Sequence, residues 1–232
     1  PEENIIIGNV AFYGATSGEK CHVFRFNPLT KKIFKLATIN GPNTILKGMV
    51  LDGSTIYVGT MLTRSQLYWE GKKRGGKYEE LDANLYQVDR TWNTGHLYRI
   101  SKIDSDRPAI TDLGIPVEGQ GINTLAIDSK RGLIYGITYP LGRFFIYDIK
   151  SGLTRPVTFG TTRSQVSNSM VLFAEVTKDL TDFIPGEVES MGKLPARAMH
   201  VTKDGIVYMS GWDGRIVKYD PSIANYQERF ST

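Results

Sequence analysis

One order of residue types is written three times along the chain, and that repetition restricts its possible folds more than any other feature. Lys47-Gly48-Met49-Val50-Leu51-Asp52-Gly53 leads into Thr55-Ile56-Tyr57-Val58-Gly59. Asn123-Thr124-Leu125-Ala126-Ile127-Asp128 leads into Gly132-Leu133-Ile134-Tyr135-Gly136, and Met199-His200-Val201-Thr202-Lys203-Asp204-Gly205 into Ile206-Val207-Tyr208-Met209. Each copy reads as a short strand, an Asp/Gly turn and a second strand centred on an aliphatic-Tyr pair. The turn aspartates Asp52, Asp128 and Asp204 stand 76 residues apart.

Further strands follow each copy. Gly142-Arg143-Phe144-Phe145-Ile146-Tyr147-Asp148-Ile149 and Gly214-Arg215-Ile216-Val217-Lys218-Tyr219-Asp220 end at turn residues, and Gly95-His96-Leu97-Tyr98-Arg99-Ile100 shares their entry. Cys21-His22-Val23-Phe24-Arg25-Phe26-Asn27-Pro28 reads as a first copy of this third strand. Fourth strands fit Lys32–Leu36, Ala109–Leu113, Arg155–Phe159 and Tyr226–Phe230. No window sustains the i, i+3, i+4 apolar period of a helix over three turns. An all-β chain of four-stranded units in tandem is expected, and the arrangement that stacks such units is a β-propeller. A β-sandwich also alternates strands and turns, but it does not account for the recurring second-strand Tyr. The stretch Ile122–Phe159 is the cleanest blade.

Asp128-Ser129-Lys130-Arg131-Gly132-Leu133-Ile134-Tyr135 and Phe145-Ile146-Tyr147-Asp148-Ile149-Lys150-Ser151-Gly152 resemble the blades of YVTN-like, quinoprotein-like and NHL-like propellers. The resemblance implies blade architecture over most of the chain and no particular activity, because such propellers carry many functions. Trp212-Asp213 lies between a second and a third strand, so the pairing of true WD repeats is absent. A single domain over residues 1–232 is expected, broken by an insertion at 61–94 and an irregular segment at 161–195. Four units are clear, and six result if both irregular stretches hide blades. A ring this short is expected to be incomplete, with an oligomer, a partner chain or further residues completing it. The start at Pro1-Glu2-Glu3, without an initiator Met or a signal peptide, fits a mature or excised chain.

Composition removes several function classes. With 41% hydrophobic, 22% charged and 11% aromatic residues the chain is globular. One cysteine, Cys21, excludes an internal disulfide and a Cys-built zinc site. No apolar run reaches the roughly 18 residues that a membrane helix needs. The net charge of +4 permits an anionic partner without requiring one. Nothing in the composition names a compartment.

In a propeller the fourth-to-first and second-to-third strand connections share one face. That face collects aromatic, cationic and amide side chains here: Lys47, Trp69, Trp92, Asn123, Arg197 and Trp212 are the expected ligand-binding set. Rings stack on apolar sugar faces while Arg and Asn grip hydroxyls or carboxylates. His96 and His200 are the acid–base candidates, with Tyr139 and Arg143 as partners. A β-elimination on a uronic acid needs such a set: a base, a proton donor and a cation on the carboxylate. Against it, a histidine opening a strand as Gly95-His96-Leu97-Tyr98 is ordinarily a partly exposed structural residue. His200, on an expected innermost strand, reads equally as a satisfied core or channel histidine.

His22, His96 and His200 have no metal-ligand spacing, the turn aspartates serve hairpin chemistry, and no cofactor motif is legible. The basic run Lys72–Lys77 is diluted by neighbouring acids and reads as a solvated loop, so nucleic acid is not an expected partner. The leading expectation is a ligand- or partner-binding propeller module whose partner is a polysaccharide or a protein. The alternative is a carbohydrate-active enzyme of the polysaccharide lyase type.

Overall fold

The computed structural model describes residues 6–8, 11–15, 18–43, 45, 48–61, 95–117, 120–139, 144–156, 198–210, 216–224 and 229–231. Among them sixteen strands form four antiparallel sheets, and no helix occurs. Sheet 1 is β1 (Ile6–Ile7), β2 (Phe12–Ala15), β3 (Gly18–Asn27) and β4 (Lys32–Asn43). Sheet 2 is β5 (Met49–Asp52), β6 (Thr55–Gly59), β7 (Leu97–Ser101) and β8 (Ala109–Asp112). Sheet 3 is β9 (Gly121–Asp128), β10 (Leu133–Tyr139), β11 (Phe144–Asp148) and β12 (Leu153–Pro156). Sheet 4 is β13 (Met199–Val201), β14 (Val207–Ser210), β15 (Ile216–Tyr219) and β16 (Phe230–Ser231). Every sheet is a simple meander in chain order, as short strands joined by tight turns dictate.

The turns explain the register. Gly53, Gly132 and Gly205 carry φ of +54°, +67° and +87° just after their aspartates, a backbone that only glycine adopts without strain. At the third-to-fourth turn, Asp148 Oδ1 accepts from the N–H groups of Lys150 and Ser151, at 2.9 and 3.0 Å. Asn27 does the same for Leu29 and Thr30. These are Asx turns, which fix where a strand stops.

Alternation along each strand gives every sheet two apolar faces, so sheets stack face to face. Sheets 1 and 2 share a cluster that includes Tyr13, Val23, Ile39, Met49, Ile56, Val58 and Ile100. Sheets 2 and 3 share Tyr57, Leu97, Leu125, Ile134, Phe145 and Tyr147. Sheets 3 and 4 share Tyr135, Ile137, Phe144, Val207, Met209, Val217 and Tyr219. The first strand β9 lies against β5 on one side and β13 on the other, so the innermost strands line one axis. Arg131 ties sheets 3 and 4 at their turn end, donating to Asp128 Oδ2 at 2.8 Å and to the Asp204 carbonyl at 2.7 Å. No helix among the described residues is long and apolar enough to cross a membrane.

The fold adds two observations to the repeat. The 76-residue aspartate interval is longer than one blade. Tyr13, Tyr57, Tyr135 and Tyr208 hold the same second-strand position, and the uninterrupted step from Tyr13 to Tyr57 is 44 residues. Both 76-residue intervals contain additional chain, one between β6 and β7 and the other between β12 and β13. The first sheet also has inner strands that the repeat had not marked: Phe12-Tyr13-Gly14 copies Ile134-Tyr135-Gly136, with Phe24 over Gly14 as Phe145 lies over Gly136.

Burial pushes the Tyr135 phenol well above the ordinary tyrosine value, with nearby Tyr219 and Asp128 adding to the shift. Tyr13, Tyr57, Tyr98 and Tyr147 move the same way, chiefly through burial. A raised folded-state value favours the neutral phenol in the native state. Stability is therefore held below about pH 10, where unfolded tyrosines are neutral, and falls as the pH rises further. The Tyr135 hydroxyl has no hydrogen-bond partner among the described residues. Tyr135→Phe should leave stability at neutral pH unchanged to within about 1 kcal/mol and reduce its alkaline loss. Urea denaturation at pH 7 and above pH 10 checks both, and a large loss at pH 7 would mean that the hydroxyl is hydrogen-bonded after all.

Candidate functional site

The end of sheets 2 and 3 that carries the second-to-third strand connections is built from polar residues stitched by backbone bonds. Thr60, just after β6, donates its N–H to the His96 carbonyl at 3.1 Å. The His96 N–H donates back to Thr60 Oγ1 at 3.1 Å. Gly95 N–H reaches the Gln120 carbonyl at 2.8 Å, and Ile122 N–H reaches the Thr60 carbonyl at 2.8 Å. This places the entry to β7 against the start of β9 in the next sheet. Thr60, Gln120, Asn123 and Thr138 are all buried there, with Thr138 Oγ1 donating to Gln120 Oε1 at 3.4 Å. Buried polar groups in such number make a polar floor, since each needs its partners to offset the loss of water.

His96 projects from this end on the side of sheet 2 that faces sheet 1. Its Nδ1 lies 2.8 and 3.0 Å from the two carboxylate oxygens of Asp112, at the end of β8. Asp112 Oδ1 also accepts the Gly114 N–H at 2.8 Å, which fixes the carboxylate. The imidazole stacks on Tyr98 with ring centroids 5.9 Å apart. A carboxylate only accepts, so Nδ1 carries the proton and Nε2 is the atom left to meet a ligand. A neutral ring offers an acceptor there and a protonated ring a donor. The His96 side chain is 35% exposed, held but reachable. The Tyr98 phenol is pushed above its ordinary value by burial and then by the Asp112 charge.

The expected site residues fall into three groups. Lys47, Trp69, Trp92, Arg143, Arg197 and Trp212 lie outside the described residues. Asn123 is on β9 in the polar floor, and Tyr139 closes β10, paired with Gly121 beside Gln120. His200 lies on β13 directly opposite Tyr208, exposed on the face of sheet 4 turned away from sheet 3. It is not a core histidine, and it belongs to sheet 4 whereas His96 belongs to sheet 2. Asp112 had no sequence signal beyond its place in a fourth strand. Its 16-residue offset from His96 recurs in sheet 1, where His22 Nδ1 lies 3.0 Å from Thr38 Oγ1. Among the described residues no group of three His, Cys, Asp or Glu side chains gathers to hold a metal ion.

No protein-family model and no curated protein matches the sequence. Solved structures match its fold. A hydrazine synthase of Kuenenia stuttgartiensis superposes with a TM-score of 0.55 at 12% identity, over 92% of this chain and 56% of that one. A regucalcin of Agrobacterium tumefaciens, described as calcium-binding, gives 0.52 at 13% identity, over 94% and 55%. A Bacteroides thetaiotaomicron protein of unknown function gives 0.51 at 12% identity, over 94% and 40%. The fold is that of a β-propeller. The four sheets of the described residues are its blades and fit an incomplete propeller, and the chain spans about half the length of the first two of these solved structures.

Proposed function

We propose that the chain is a propeller module that binds a polar, anionic ligand of the carbohydrate class at the end where the third strands of its blades begin. One observation carries this reading. In register, the third strand of every unit carries a basic residue at one position, His22, His96, Arg143 and Arg215, and at the second of them a carboxylate holds the ring ready to meet a ligand through Nε2. Arg143 and Arg215 enter on sequence register alone. Cationic and imidazole groups repeated blade by blade suit a ligand whose carboxylates repeat along a chain, and a uronic-acid polysaccharide is the simplest such ligand. Lys47, Trp69, Trp92, Asn123, Arg197 and Trp212 are the further contacts we assign to it.

The His96–Asp112 pair also favours a second reading, in which His96 is the base of a β-elimination. An imidazole oriented by a carboxylate presents Nε2 to take a proton, and Tyr139 and Arg143 are the partners this reading assigns. His200, two sheets away, is not required by either reading.

Titration calorimetry with an oligogalacturonate, run beside ultraviolet absorbance of an unsaturated product, separates the two. Loss of one hydrogen bond to a charged group costs about 1.5–3 kcal/mol, so His96→Gln should weaken binding about tenfold or more. Asp112→Asn, which still accepts from Nδ1, should weaken it by a smaller factor. Lys130→Gln, in the turn at the other end of sheet 3, should leave it unchanged. Binding without absorbance identifies the module, and absorbance lost in His96→Gln identifies the enzyme. Affinity indifferent to His96 would sink both readings.

A further inference from the structure

The four second-strand tyrosines are equivalent by register but not in their surroundings. Tyr13, Tyr57 and Tyr135 are 3%, 4% and 0% exposed, each covered by the following sheet. Tyr208 is 38% exposed. The same holds along the third strand: Val23, Leu97 and Phe144 are buried against the next sheet, whereas Ile216 at the same position is 62% exposed. Two residues on, Lys218 takes the place of Arg25 and Arg99. This face of sheet 4, with His200, Tyr208, Ile216 and Lys218, is therefore the leading half of an inter-blade interface that the chain builds three times elsewhere.

The trailing half is equally plain on sheet 1. Where sheet 3 buries Ile134, Phe145 and Tyr147 against the preceding blade, sheet 1 presents Phe12, Phe24 and Phe26. Phe12 and Phe26 stack on each other, and Ile33, opposite Phe26 on β4, is 71% exposed. One chain thus carries both halves of one interface, and among the described residues no shared cluster joins them.

We propose that a second copy of this chain closes the ring, sheet 4 of each copy seating on sheet 1 of the other. The argument is continuity: the two open faces repeat, position by position, the pair of faces already packed at three places in the fold. A second copy is the smallest partner that offers both. A two-fold axis then satisfies both open ends at once, with every contact made twice, and leaves no free blade face to extend into a fibre. This inference is independent of the ligand reading above.

Sedimentation equilibrium on the full chain tests it. The expected mass is twice 25.9 kDa at about 100 µM protein. Ile216→Asp and Tyr208→Asp change exposed side chains of sheet 4, so the monomer keeps its circular dichroism. Each should weaken the dimer at least about 100-fold by placing a carboxylate in a desolvated contact. Ile33→Asp and Phe12→Glu, on sheet 1, should act in the same way, because the contact is head to tail. A monomeric wild-type chain at that concentration would overturn the proposal. So would a dimer that resists the sheet 4 variants, or one lost only through sheet 4 and indifferent to both sheet 1 variants.

Discussion

Truncating Phe145 to alanine should cost about 3–5 kcal/mol, the range for deleting a fully buried aromatic ring, and so remove much of the 5–15 kcal/mol typical of a domain. Phe145 has no exposed surface. It sits on β11 directly across from Gly136, its ring occupying the space a side chain there would fill. Its other neighbours in the shared cluster are Tyr57 and Leu97 of sheet 2 and Leu125 of its own sheet. The cavity cannot close easily, because strands on both sides are fixed by their ladders. Phe24 offers an internal control: it lies over Gly14 in the same way, on the open face of sheet 1. Phe24→Ala should cost distinctly less in the monomer, about 1–2 kcal/mol, since less apolar surface is lost. Urea midpoints of the two variants check this at low protein concentration. Equal costs would mean that the sheet 1 face is covered as fully as the sheet 3 face.

Gly95→Ala should be as severe for a different reason. A Cβ at Gly95 would fall on the Thr60 carbonyl oxygen and lie 2.8 Å from both Gly121 Cα and Ile122 N. All three are backbone atoms, and all belong to the bonds that stitch the entry of β7 to the start of β9. Relief requires separating sheets 2 and 3 at this end. The expected loss is about 3 kcal/mol, the upper end of ordinary overpacking, together with displacement of His96 from Asp112. Urea denaturation of Gly95→Ala and the ¹⁵N signals of its His96 imidazole check both effects. A variant with wild-type stability and an undisturbed His96 would contradict the stitched geometry.

Much of this architecture was legible because hairpin chemistry is local. Asp128, Gly132 and Tyr135 announce a turn and a second strand wherever they occur, and they recur. Only the two inner strands of blade 1 escaped, because its first hairpin has no aspartate in place and bonds Gly8 N–H to the Ala11 carbonyl at 2.9 Å. Phe12-Tyr13-Gly14 was still there to be matched against Ile134-Tyr135-Gly136. The equal aspartate spacing arises because the stretch between β6 and β7 and that between β12 and β13 are similar in length. At the site, His96 stood out by residue type, but its orientation did not. Asp112 meets it only through the register of β7 and β8, and register is a property of the folded hairpin. Which residues face the open ends of the ring was hidden for the same reason: Tyr208 and Tyr135 look alike in sequence and differ only in what lies on them.

The reading of the ligand end is tested most directly by the imidazole ¹⁵N resonances, because the chain has only three histidines and each reports a different place. His22 lies beside Thr38 in sheet 1, His96 on Asp112 in sheet 2, and His200 on the open face of sheet 4. With oligogalacturonate added stepwise, the account predicts a saturable shift of the His96 Nε2 signal and a smaller one or none at His200. A titration in which His96 stays still while the ligand binds, or in which His200 alone moves, would contradict the assignment.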